Sequence, residues 1–455
     1  MEKVNSIKEF QMDFQEQINE IIKDTLSEKL SFDILLVSDE NSRLSVLRGY
    51  NALAQFRNFY GTMATVNLTS MTTGEYLRVK PDLHNYNVLW MDNVVNPQFI
   101  ASVSDSLREY EDEVCDGPMV IDGREESDLQ KESEQRRTMR NLRIRAIYAL
   151  DEFVWDAPAG RQVNMFTVRM VEDAMIVADE IVVPNAEMVS VLKKVGLVPP
   201  DKDVVVINTF VNDTFYPIHK VFTKSSNYST QIRRPKILIK GTTIPMNVQK
   251  FIMMDEVNKS YDITISSVGE LAKPIYKLMQ RTSDGKPPRI TTIPHWANPV
   301  MNRSNYASTM AIERDMGFDF VITTIPDDIE NNPYELTNLD TDNILAVAEG
   351  AVTIAGVLNA GFSKENHICV ATNLVFGPKT TEKELQSLIE RWRICTNWDT
   401  AYQKQRDLLA TKTVSSEQIM GGYFHVMLGH TLSDAFGNKL KEALDEQKKM
   451  EKETK

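Results

Sequence analysis

Residues 178–217 constrain this chain more than any other stretch. They open with ADEIVVPNAEMVSVLKKVG and close with VVVINTFVNDTFYP. The pattern is strand, short turn, helix, loop, strand, and then a loop ending in Tyr216-Pro217. Two apolar strands with a helix between them form a βαβ unit, which builds parallel sheet. Parallel sheets bind ligands beyond the carboxyl ends of their strands. Pro184-Asn185 and Asn208-Thr209 therefore fall at an edge where a substrate can sit.

At 455 residues the chain exceeds one compact core, so two domains are expected. Its 42% apolar and 25% charged residues are those of an ordinary globular protein. No apolar run reaches the roughly 20 residues of a bilayer span. The polar start MEKVNSIKEFQMDF does not read as a secretory signal, which makes the cytoplasm (a host cytoplasm, if viral) the expected compartment. Cys115, Cys369 and Cys395 are too far apart to suggest a disulfide framework or a metal site, and no metal is expected. A net charge of −13 argues against a dedicated nucleic-acid binder but not against nucleotide binding.

Residues 1–30 place Ile7, Phe10, Phe14, Ile18, Ile21 and Leu26 at helical spacing, an amphipathic packing helix. Strands are expected at 32–37, 88–91 and 144–150, with a helix through 46–53. Together with 178–207 they make a first Rossmann-like domain over 31–217. Residues 218–235 are polar and read as a linker. A second α/β series over 236–430 has strands near 237–239, 263–266, 290–293, 318–325 and 352–355, and a helix at 341–349. Leu432, Phe436, Leu440 and Leu444 step by four, so 431–455 is expected to be a closing helix with a frayed tail. The fold class is thus α/β, with two Rossmann-like domains and packing helices at both ends.

A charged insertion, 108–143, interrupts the first domain. It begins REYEDEVCDG and ends RRTMRNLRIR as it runs into the next strand. Arg136, Arg140 and Arg143 are expected on one helix face. They either pair with nearby acids on a solvated helix or form a phosphate-binding face.

The order of these segments resembles GT-B glycosyltransferases. Ala178-Asp179-Glu180 through Pro184-Asn185, the helix and Gly196, then Val206-Ile207-Asn208 through Tyr216-Pro217, is similar to the end of that family's N-terminal domain. Ile147-Tyr148-Ala149-Leu150-Asp151-Glu152 is similar to an upstream segment of bacterial and phage members of the retaining, group-1 type. Arg48-Gly49-Tyr50 stands where such enzymes often carry an Arg after the first loop. Pro326-Asp327-Asp328, Asn343 to Glu349 and Val352 to Ala355 resemble the donor-site stretch. The chain departs from the family at three points. Position 341 is Thr where retaining members carry the first of two Glu, 338–348 holds no Lys or Arg, and Ile207 replaces the Pro before Asn208.

The resemblance implies metal-independent transfer of a sugar from a nucleotide-sugar substrate, with no cofactor, in an interdomain cleft. Lys240, Gly241, Thr242 and Thr243 offer a cation, close backbone approach and hydroxyl donors to a diphosphate. Pro326, Asp327, Asn343 and Glu349 join them on the donor side, with Glu349 placed to hold ribose hydroxyls. Asp151 and Glu152 are the candidate catalytic carboxylates, able to orient or deprotonate an acceptor hydroxyl. Arg48 and Asn208 belong to the acceptor or phosphate side. The acceptor is left open among a glycan, a cell-surface polymer, a protein and a modified DNA base. Two other readings remain: a non-catalytic GT-B-like binding or structural protein, and a sugar-phosphate or nucleotide-sugar epimerase of the same fold.

Overall fold

The buried strands of the first half serve both faces of one sheet with a period of two. In the computed structural model, residues 2–207 are described apart from short breaks, the longest at 40–48 and 156–161. Five strands and one helix are described within 236–353, and then residues 416–439. The linker expected at 218–235 and the helix expected at 341–349 lie outside the described residues.

The first sheet contains β1 (Ser31–Ser38), β2 (Thr65–Thr72), β3 (Val88–Asp92), β4 (Arg145–Ala149), β5 (Glu180–Val183) and β6 (Val204–Val206). All its pairings are parallel, in the order β2-β1-β3-β4-β5-β6. Leu35, Val37, Leu89, Met91, Ala146 and Tyr148 enter one core, while Phe32, Ile34, Leu36, Val88, Trp90, Ile147 and Ala149 enter the other. Burial on both faces is why these strands read as continuous apolar runs. β2 was not visible in the sequence. It is the edge strand, half-exposed, and TVNLTSMT has no apolar run.

Handedness decides what covers each face. The crossovers from β2 to β3 and onward to β6 all advance in one direction, so right-handed connections put their helices on one side. These are α3 (Thr73–Val79), α4 (Pro97–Val114), α5 (Glu126–Asn141), α6 (Met165–Val177) and α7 (Ala186–Lys194). The step from β1 to β2 runs the other way, so α2 (Asn51–Tyr60) lies on the opposite face. α2 alone leaves the strands beyond β1 uncovered there. The cover comes from α9 (Ser416–Leu428) and α10 (430–439), with help from α1 (Glu2–Ser27). Trp90 stacks on Tyr423 with ring centroids 5.3 Å apart, and Phe424 meets the edge of Phe32 at 5.6 Å. α9 thus falls inside the 236–430 range read as the second domain, yet its buried residues belong to the core of the first sheet.

The second sheet is also parallel. β7 (Lys236–Lys240), β8 (Asp262–Ser266), β9 (Ile290–Thr292), β10 (Phe320–Thr323) and β11 (Val352–Thr353) take the order β11-β10-β7-β8-β9. α8 (Lys273–Leu278) connects β8 to β9 and buries Ile275. The two Rossmann-like sheets expected from the sequence are both present.

The basic run and the Ala178-Asp179-Glu180 motif turn out to be partners. Asp179, its side chain 1% exposed, pairs with Arg140, accepts from Arg137 Nε at 3.2 Å and accepts the Ala146 N–H at 2.8 Å. Arg140, 3% exposed, also reaches Glu111 at 3.2 Å. Arg136 binds Asp112 at 3.0 Å and the Gly117 carbonyl at 2.7 Å. Arg137 and Lys202 close the carboxyl end of α6 by donating to the Ala178 carbonyl. Of the two readings of this run, pairing with nearby acids is the one the structure shows for Arg136 and Arg140, and the phosphate-binding face is not formed. Arg136 and Arg140 are consumed inside the helix layer, and Arg143 lies beyond the end of α5.

Removing one partner of a buried pair leaves an uncompensated charge, which costs about 3–5 kcal/mol. Asp179→Ala is expected to destabilise the chain by about that amount in urea denaturation, whereas Asp128→Ala on exposed α5 surface is expected to change it by less than about 0.5 kcal/mol.

Candidate functional site

Three neighbouring strands of the first sheet end in the same way: an apolar run and then Asp. They are FDILLVS before Asp39, VLWMD ending at Asp92, and IYAL before Asp151. Because β1, β3 and β4 are adjacent and parallel, all three carboxyl groups arrive at one edge. This edge also contains the switch point of the strand order, between β1 and β3, the position at which open parallel sheets generally bind ligands.

Asp92 is fully buried and Asp151 is 2% exposed. Asp39 ties three loops together, accepting from Thr73 Oγ1 at 2.8 Å and from the Val95 N–H at 2.9 Å. Asn93 holds a left-handed φ of 49° and donates its N–H to the Ala149 carbonyl at 2.9 Å. The buried Tyr148 hydroxyl donates to the Val94 carbonyl at 3.3 Å. Burial pushes this phenol well above its ordinary range, and Asp151, Asp39 and Asp92 add to the effect in that order. Tyr148 is therefore a fixed neutral donor on β4, beside the edge where the three carboxyl groups arrive.

The backbone after β1 comes down directly onto this group. A Cβ built on Gly49 would overlap the Asp92 carboxyl and sit 3.4 Å from Leu36. Only glycine lets the backbone at position 49 approach Asp92 this closely.

Three of the helices that start at this edge, α3, α4 and α6, have side-chain caps, whereas α2 has none. Thr72 and Glu75 form a capping box on α3. Asn96 accepts from the N–H groups of Gln98 and Phe99 at the start of α4, with Pro97 in the first turn. Asn164 does the same for Phe166 and Thr167 on α6. Three carboxyl groups arriving at one edge suit a hydroxyl donor better than an anion.

On the second sheet the switch point falls between β7 and β10, and Lys240 at the end of β7 is in register with Thr323 at the end of β10. The stretches beginning at Gly241 and at Thr324 thus leave from adjacent strand ends. Of the sequence-derived site residues, the structure places Asp151 and the Lys240 backbone. Arg48, Glu152, Asn208, Gly241, Thr242, Thr243, Pro326, Asp327, Asn343 and Glu349 lie outside the described residues. Asp92, Asp39 and Gly49 were not singled out as site residues in the sequence, although the repeated apolar-run-then-Asp ending was there to be found. Among the described residues, no group of three or more His, Cys, Asp or Glu is arranged to hold a metal ion, and no helix is long and apolar enough to cross a membrane.

No protein-family model matches the chain, and no curated protein matches it. Solved structures do. An alpha-glucosyltransferase in complex with UDP and a 13-mer DNA containing a HMU base shares 12% identity at a TM-score of 0.48, over 88% of this chain and 100% of that one. A sucrose-phosphate synthase from Thermosynechococcus elongatus shares 10% at 0.45, over 87% and 98%. At such identities and scores the fold class rests on the two sheets themselves.

Gly49→Ala must displace either the backbone at position 49 or the buried Asp92. It is expected to cost about 1–3 kcal/mol, as overpacking does. Thermal denaturation checks this, with Gly123→Ala as the contrast for an open site where only the left-handed φ of 65° is strained.

Proposed function

We propose that this chain is a glycosyltransferase that takes a sugar from a nucleotide-sugar donor to an acceptor hydroxyl without a metal ion. The observation that supports it most is the difference between the two strand-end sites. The first sheet brings Asp39, Asp92 and Asp151 to one strand-end edge, an environment that suits a hydroxyl better than a phosphate. The second has Lys240 at its switch point, with the Gly241-Thr242-Thr243 stretch next in the chain.

In this reading the acceptor oxygen attacks the anomeric carbon while the bond from that carbon to the diphosphate oxygen breaks. The leaving nucleoside diphosphate keeps the electron pair. Lys240, backbone N–H groups and the Thr242 and Thr243 hydroxyls stabilise its charge. Asp151 orients the acceptor hydroxyl and takes its proton. Glu349 holds the ribose. The acceptor class stays open.

A second reading is a binding protein with a degenerate donor site. Thr341 and the absence of Lys or Arg over 338–348 favour it.

Thermal shift with UDP-, GDP- and ADP-sugars separates the two. Binding at about a hundredfold excess over Kd stabilises by about 2.7 kcal/mol. At least one donor is expected to raise Tm, and Glu349→Ala and Lys240→Ala are expected to abolish the rise. Asp151→Asn should keep the donor shift while transfer falls by about 10²- to 10⁴-fold. No shift with any donor would remove the transferase reading. A shift without sugar release to water or acceptor would favour the binding protein.

A further inference from the structure

α9 and α10 meet at Gly429, where a row of hydrogen-bonded side chains takes no part in the proposed transfer. Gly429 has φ 79°, and a Cβ there would overlap the Arg145 guanidinium. Arg145 donates Nε–H to the Val426 carbonyl at 2.9 Å and pairs with Glu180. Ser433 Oγ lies 2.8 Å from the Gly429 carbonyl and 2.8 Å from His425 Nδ1. His425 Nε2 lies 3.0 Å from His430 Nδ1. His430 Nε2 faces Glu180 Oε1 at 3.8 Å and Asp203 Oδ2 at 3.6 Å.

One group that can only accept settles where the protons are. The Gly429 carbonyl takes the Ser433 hydroxyl hydrogen, so the Ser433 oxygen must accept from His425 Nδ1–H. A neutral His425 then has a bare Nε2, which accepts from His430 Nδ1–H. A proton added at His430 Nε2 meets two carboxyl groups and leaves the row intact. With His430 already protonated, a second proton at His425 Nε2 meets the His430 N–H head-on and breaks the row.

We propose that His425 is the proton-sensing element of a latch that docks residues 416–439 on the first sheet, and that acid opens it. The groups facing the imidazole pair come from every element around it: Arg145 of β4, Glu180 of β5, Asp203 before β6, and Ser433 and Asp434 of α10. Burial, then His430 and Arg145, hold His425 below the usual imidazole range, with Asp434 opposing. A folded-state pKa below the unfolded value means that the stabilisation is present above the unfolded value, about 6.5, and is lost as pH falls through the folded one.

Hydrogen–deuterium exchange on the full chain tests this, read over residues 419–433 and corrected for the intrinsic pH dependence of exchange. Opening of the wild-type segment is expected to rise as pH falls below about 6.5, by at most about tenfold per pH unit, and to level off once folded His425 has titrated, as linkage to one proton requires. His425→Gln keeps one donor and one acceptor without titrating, so it is expected to stay closed across the same range. A wild-type segment indifferent to pH, or a His425→Gln segment that opens with the wild-type profile, overturns the latch. The protonation scheme has its own check in wild-type protein, free of any folding defect. Long-range ¹H–¹⁵N spectra should find neutral His425 protonated on Nδ1, and a proton on Nε2 instead overturns it.

Discussion

A right-handed crossover can place its helix on only one side of a sheet, and this molecule is organised around the face left bare. From β2 onward the first sheet advances in one direction, so α3 to α7 share one side. On the other side Trp90, Ile147, Ala149 and Val182 would meet water beyond the reach of α2. The chain solves this with its far end. Tyr423, Val426, Met427 and Leu432 return after the second sheet to fill that face. Gly429 and Arg145 shape the return, and the His425–His430 row holds it. A segment held by packing and by titratable contacts is one whose docking answers to solution conditions.

The charges of the helix layer follow the same economy. The sequence contains a conspicuous basic run and a conspicuous acidic dipeptide, each of which alone invites a ligand. The fold brings them together. Arg137 and Arg140 meet Asp179, and Arg145 meets Glu180, at the start of β5. Burial makes such partners obligatory, because a guanidinium or carboxylate left alone there costs several kcal/mol. The opposite edge is where strands end in Asp39, Asp92 and Asp151 and where α3, α4 and α6 start with side-chain caps.

The central strands were legible because both their faces are buried, so each reads as an unbroken apolar run bounded by polar residues. β2 was not, since an edge strand half in water can be built from Thr, Asn and Ser. α9 was not, because Gly421-Gly422 inside an apolar stretch carries no helical signature; its helix exists through packing on the first sheet. Asp151 was legible as a strand-end carboxyl. Asp92 and Gly49 were not, because their significance is a contact between residues far apart in the chain.

The sequence by itself determined the local grammar: which stretches are buried parallel strands, that there are two series of them, and where strand ends and polar loops alternate. These follow from short-range patterns of hydrophobicity and turn residues. Tertiary structure alone decided the partners. It determined that Arg137 and Arg140 of α5 serve Asp179, that three aspartates meet at one strand-end edge, and that α9 and α10 belong to the first sheet. The physical reason is that burial and charge pairing are satisfied across space. A sequence names the groups that need partners, and only the packed chain assigns them.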